Sequence, residues 1–199
     1  MIRIDYYGGN ETIGAAVVYV NNLFTYIPFL DAIYNTKQFD MATVSPREIT
    51  DMFCNTDLRL SIDLYWPLKF CSEAYTYDDR LNPTVIHLNK LKLNRPVHSV
   101  CNTLLHQCVH ALNAQYPAQY FGHGNNEPKG KERTAPYCIA GIGQKIVAED
   151  DRRYDYMPHE DVANIPSKQP GGSSIHVPEN LFRDGIFCIY DMMAIMEAN

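Results

Sequence analysis

Apolar and polar residues alternate over residues 58–66, LRLSIDLYW, the pattern of a strand with one buried face. Residues 2–7 alternate in the same way and stop at Gly8-Gly9. Residues 84–89, TVIHLN, follow Pro83, are rich in β-branched side chains and predict another strand. A further short strand is expected over residues 39–44, and a polar, aromatic hairpin or loop over 72–82. Elsewhere the apolar spacing is helical. Ala15, Ala16, Val17, Tyr19, Val20 and Leu23 share a helix for which Asn10 or Thr12 supplies the cap, and Pro28 opens a short helix reaching Tyr34. Ser45-Pro46-Arg47-Glu48 has the form of a helix start: a serine cap, proline at the first helical position and glutamate at the third. That helix turns Ile49, Met52 and Phe53 inward.

In the second half, a helix begins at Ser99 or Asn102 and ends near Gln115 or Tyr116, because Pro117 cannot continue it. A loop follows, Phe121-Gly122-His123-Gly124-Asn125-Asn126, and then a charged stretch over 127–133. Thr134 caps the next helix, with Pro136 in its first turn and Tyr137, Ile139, Ile142 and Val147 on its face; it ends in the charged run 149–153. Residues 156–179 hold four prolines and Gly171-Gly172 and read as a long loop, and residues 179–198 as a last helix.

Composition sets limits. A chain of 199 residues with 46% hydrophobic content suits one domain over residues 1–199. A net charge of −6 without a basic block argues against a nucleic-acid partner. No window approaches about eighteen uncharged apolar residues, so no membrane span is expected. The N-terminus lacks the apolar region of a signal peptide. Six cysteines are scattered without a CxxC pair and read as reduced, mostly buried thiols. These features fit a cytoplasmic protein, or one secreted without a cleaved signal in the manner of an effector.

The chemistry concentrates in Thr103-Leu104-Leu105-His106-Gln107-Cys108-Val109-His110-Ala111-Leu112-Asn113. On a helix, His106 and His110 lie one turn apart on one face, so both rings can reach one ion. A metal site with an open position needs three protein ligands. His123 is the expected third, on a loop whose flanking glycines allow close approach to the helix. Glu132 is the runner-up, and His159, His176 and Asp150 are weaker choices; His87 and His98 are read as structural or surface residues.

The helix resembles the HExxH helix of zincin-like zinc metallopeptidases, with Gln107 where that family has its catalytic glutamate. The resemblance spans residues 84–148, and its specific part is the HxxxH core. It implies an α+β, zincin-like fold: a small twisted mixed sheet packed on an HxxxH metal-binding helix. It also implies zinc as cofactor and a protein or peptide as substrate, with an edge strand that pairs with extended substrate. In that family the glutamate is the general base for hydrolysis by a metal-activated water. Gln107 has nearly the same shape but cannot take up the proton, so the chain as written is an inactive form. A deliberate Glu→Gln substitution is the favoured explanation, and the alternative is a catalytically dead zincin that binds a peptide or protein. Tyr137 and Tyr120 are the candidate donors to a developing oxyanion, and Asn125 or Asn126 could orient a ligand histidine. The HxxGxxH extension of the metzincins is absent, and Met192 and Met193 read as core residues rather than a Met-turn.

Overall fold

The computed structural model describes residues 1–67, 75–77, 81–124 and 130–155. The described residues form a mixed α/β structure, in which Met1–Arg153 make one compact unit. The order is β1 (Ile2–Asp5), α1 (Glu11–Leu23), α2 (Ile27–Tyr34), α3 (Pro46–Asn55), β2 (Leu58–Tyr65), β3 (Thr76–Tyr77), β4 (Val85–Asn89), α4 (Val97–Gln115) and α5 (Ala135–Asp155). The sheet order is β1-β2-β4-β3. Strands β1, β2 and β4 run parallel, and β3 lies antiparallel against β4.

Strand alternation sets which sheet face is buried. Register places Ile2 beside Leu58 and Ile4 beside Leu60, and Ile86 and Leu88 of β4 beside Ile62 and Leu64 of β2. Ile2, Ile4, Leu58, Leu60, Ile86 and Leu88 enter one core with Ala16 and Val20 of α1 and Leu104, Leu105, Val109 and Leu112 of α4. Arg3, Arg59 and Ser61 point the other way and are not buried. The free edge of β1 is covered by a side chain: Asn21 of α1 accepts from the Ile4 N–H at 2.8 Å and donates to the Ile4 carbonyl at 2.9 Å.

Local signals explain the helix starts. The Asn10 side chain accepts from the Ile13 N–H, and Ser45 with Glu48 closes a reciprocal capping box at α3. Pro46 sits in the first turn, where a missing N–H costs nothing. The start of α4 differs from expectation: the helix begins at Val97 after Pro96, with no side-chain cap. Asn102 instead donates to Gln144 Oε1 of α5 at 2.9 Å. Thr134 takes the expected position before α5, where its carbonyl accepts from the Cys138 N–H at 2.9 Å, while its hydroxyl donates back to the Lys131 carbonyl at 2.7 Å.

The strand expected over residues 39–44 is not formed. Only Asp40 makes a bridge, to Thr134, and Met41 takes a positive φ of 64° that breaks any extended run. The expected hairpin region contributes β3, which meets His87 and Leu88 of β4. The loop expected over 156–179 and the helix over 179–198 lie outside the described residues, as do Asn125, Asn126, His159, His176, Met192 and Met193. Among the described residues no single helix is long and apolar enough to cross a membrane; α1 and α2 together reach that length but bend by 67°.

Candidate metal centre

His106 and His110 project from one face of α4, as their spacing requires. Neighbouring positions Leu104, Leu105, Cys108 and Val109 are buried and fix the rotation of the helix, leaving the two imidazoles half-buried at its margin. After α4 the chain turns at residues 116–119 and brings His123 back over the helix.

Side chains hold this return loop. Asn113, three residues beyond His110, donates to the Gln119 carbonyl at 2.7 Å and accepts from the Phe121 N–H at 3.2 Å. Thr43 pairs with Tyr120 through its own N–H, which donates to the Tyr120 carbonyl at 2.7 Å, and through its hydroxyl, which accepts from the Tyr120 N–H at 2.8 Å. The Tyr120 hydroxyl accepts from the Gly124 N–H at 2.6 Å. Lys131 donates to the carbonyl of His123 at 2.7 Å. The two glycines have distinct reasons. A Cβ on Gly122 would press on the Tyr120 hydroxyl at 3.1 Å and its ring at 3.2 Å, whereas Gly124 has a φ of +74°.

The outcome is a triangle of nitrogens. Nε2 of His106 lies 3.2 Å from Nε2 of His123 and 3.1 Å from Nε2 of His110, and the last two are 2.9 Å apart. Such a triangle cannot satisfy itself. In a neutral imidazole each ring nitrogen is either donor or acceptor, so three Nε2 atoms cannot close a ring of hydrogen bonds. Charging His106 is disfavoured as well. Burial, followed by the nearby His110 and His123, pulls the His106 pKa down to about 3. Three imidazole nitrogens that converge in this way have the spacing of a metal-ligand set. Metal–nitrogen bonds of about 2.1 Å in a tetrahedron would separate the nitrogens by about 3.4 Å, close to the spacing found. The three histidines could therefore hold a metal ion.

Of the expected ligands, this arrangement brings together His106, His110 and His123 and leaves out Glu132. Glu132 is exposed, and its Oε1 accepts from the Gly130 N–H at 3.3 Å. Asp150 lies far along α5 and is not in the cluster. His87 is buried on β4, 3.3 Å from the Asp63 carboxylate, and is not in the cluster.

Tyr137, in the first turn of α5, meets the site edge-on, its ring centroid 4.5 Å from that of His106 and 5.3 Å from that of His123. Burial and the Glu132 carboxylate raise its pKa, so its hydroxyl keeps its proton. Gly143 lets α5 come this close, because a Cβ there would collide with Leu105 of α4 and reach within 3.1 Å of Leu23 of α1. Gln107 lines a cleft of about 160 Å³ together with Pro83, Val85, Ile86, His110, Ala111 and Ala114.

Sequence reasoning did not find Asn113, Thr43 or Lys131 as the residues that hold the third ligand. Asn113 carried a usable signal, a polar residue one turn past His110 in the last turn before Pro117. Thr43 and Lys131 carried none, because their role depends on contacts 77 and 8 residues away. No protein-family model, curated protein or solved structure matches this chain.

Proposed function

We propose that the chain is a zincin-like zinc metallopeptidase in a form whose general base is replaced by Gln107. The observation that carries this reading is the triangle of three Nε2 atoms, two from an HxxxH helix and one from the loop after it. An all-imidazole set of this spacing suits zinc, and three ligands leave the fourth position open. Zinc bound there supplies Lewis acidity toward a carbonyl oxygen and a water. His106, His110 and His123 hold the ion, and Lys131, Asn113 and Thr43 hold His123. Gln107 lines the cleft on the helix face adjoining His110, where its amide can bond a substrate group but cannot take up a proton near neutral pH. Tyr137 keeps a donor hydroxyl beside His106 and is the better placed of the two tyrosines to meet developing negative charge. Tyr120 uses its hydroxyl to hold the ligand loop.

The sheet offers a place for an extended substrate. Among the described residues, β3 pairs with β4 only at His87 and Leu88, while Val85 and Ile86 line the cleft beside Gln107. A peptide could lie along that part of β4 in the manner of strand addition.

Gln107 itself favours a second reading, a protein of the same architecture that binds a peptide and never cleaves it. Replacement by glutamate separates the two. In the peptidase reading, the zinc-loaded Gln107→Glu variant digests quenched fluorescent casein, and the original chain and the Gln107→Glu/His106→Ala variant do not. A zinc-loaded, folded Gln107→Glu variant without activity would favour the binding protein. Activity that survives His106→Ala would defeat the metallopeptidase reading.

A further inference from the structure

From two cation–aromatic pairs at the carboxyl end of the sheet we infer a docking surface for an acidic segment of a partner protein. The inference goes beyond the metal-site reading and does not depend on it.

Strands β2 and β4 run parallel and finish side by side, with Tyr65 opposite Asn89. Trp66 and Lys90 come next, and the Lys90 Nζ lies 5.7 Å from the centroid of the Trp66 ring. On the other flank of β4, the Tyr75 carbonyl accepts from the Asn89 N–H at 2.9 Å. The Arg95 guanidinium sits 4.4 Å from the centroid of the Tyr75 ring. Ser99, in the first turn of α4, holds Arg95 in place: its carbonyl and hydroxyl accept from the Arg95 Nη1 at 2.8 and 3.2 Å. Trp66, Tyr75 and Leu91 remain 62%, 49% and 39% exposed. Ser99 precedes His106 by seven residues, about 10 Å of helix rise, so this surface is separate from the metal centre.

Charge points to the kind of partner. Among the described residues, Lys90, Lys92 and Arg95 make no ion pair with a carboxylate. Arg95 is half-buried, burial lowers its pKa, and its buried Nε has no hydrogen-bond partner among the described residues. A cation drawn out of water without a counter-charge is costly, and a carboxylate brought by a partner offsets that cost. The surrounding sequence is basic as well: residues 66–95 hold five Lys or Arg and three Asp or Glu, in a chain of net charge −6. A basic island on an acidic molecule suits a short acidic segment. A nucleic-acid strand or an anionic bilayer extends past the island and meets the negative remainder. The rings add apolar contact, since Trp, Tyr and Arg are the residues that most often carry the energy of an interface.

The test is the fluorescence anisotropy of a fluorescein-labelled peptide repeating Asp-Glu-Phe, titrated with the full chain, beside a counterpart repeating Lys-Lys-Phe. The acidic peptide should bind and the lysine peptide should not. Lys90→Glu and Trp66→Ala, both at exposed positions, should each weaken binding about tenfold or more, the loss expected of a residue that anchors an interface. Lys37→Glu makes the same change of charge at an exposed position between α2 and α3 and should leave binding unchanged. Circular dichroism checks that each variant is folded. No binding of the acidic peptide, equal binding of the lysine peptide, or a loss in Lys37→Glu as large as in Lys90→Glu would overturn the inference. So would binding confined to labelled oligothymidylate or to phosphatidylserine vesicles in the same titration. None of these outcomes bears on the three histidines.

Discussion

Asn113 accepts a hydrogen bond from the Phe121 N–H at 3.2 Å, and its amide nitrogen donates to the Gln119 carbonyl at 2.7 Å. One side chain on α4 thus takes the part of a strand neighbour for the loop that carries the third histidine. Asn21 treats β1 in the same way. For Asn113 the consequence reaches the site: His106 and His110 are fixed by the helix, and His123 depends on this tether. Asn113→Ala should lower zinc affinity by about tenfold to a hundredfold, the usual effect of losing a group that orients a ligand. Competition with a chromogenic chelator measures the affinity. Thermal unfolding of the metal-free variant, compared with the metal-free parent, separates lost positioning from lost folding. Unchanged zinc affinity would show that the loop needs no tether.

Gly143 couples packing to the site from the other side. A methyl group there has no room against Leu105, and Leu105 immediately precedes His106 on α4. Gly143→Ala should destabilise the fold by about 1–3 kcal/mol through overpacking, even though alanine favours helices. Urea unfolding checks this. A stabilised variant would mean that α5 does not press on α4 in solution.

The capping box of α3 gives a dependence on pH. Hydrogen bonds from the Ser45 backbone and hydroxyl hold the Glu48 carboxyl below its ordinary pKa of 4.5. A carboxyl whose folded pKa is depressed contributes stability that is complete above its unfolded value and lost as pH falls through the folded one. Glu48→Gln should therefore destabilise near neutral pH and approach the parent protein below pH 4.5. Ser45→Ala should cost about 1 kcal/mol at neutral pH. Denaturant midpoints across pH test both; a constant gap between Glu48→Gln and the parent would contradict the assignment.

What could be read from the sequence follows from how local each cause is. Residues 58–66 alternate because one sheet face is buried, and β2 forms over Leu58–Tyr65. Ser45, Pro46 and Glu48 specify a helix start within four residues, and the structure makes that cap. The HxxxH pair was legible because helix geometry alone places His106 beside His110. His123 could be proposed from its glycines, but its position depends on contacts to Asn113, Thr43 and Lys131. Apolar residues 39–44 looked like a strand because Phe39 is buried and Ala42 and Val44 pack on the core, yet they do so from a turn at Met41. Parallel pairing of β1, β2 and β4 was not read, since strand direction depends on long crossovers that leave no periodic trace. The cleft was also missed, because it is defined by the small size of Ala111 and Ala114 opposite a strand distant in sequence.

The proposed role of His106, His110 and His123 is to hold one zinc ion together. Inductively coupled plasma mass spectrometry measures the metal content of the chain purified without chelator and of its His106→Ala/His110→Ala variant. About one zinc per chain is expected, lost in the double variant, with both proteins folded by circular dichroism. A folded parent chain that carries no metal, or zinc retained undiminished by the double variant, would contradict it.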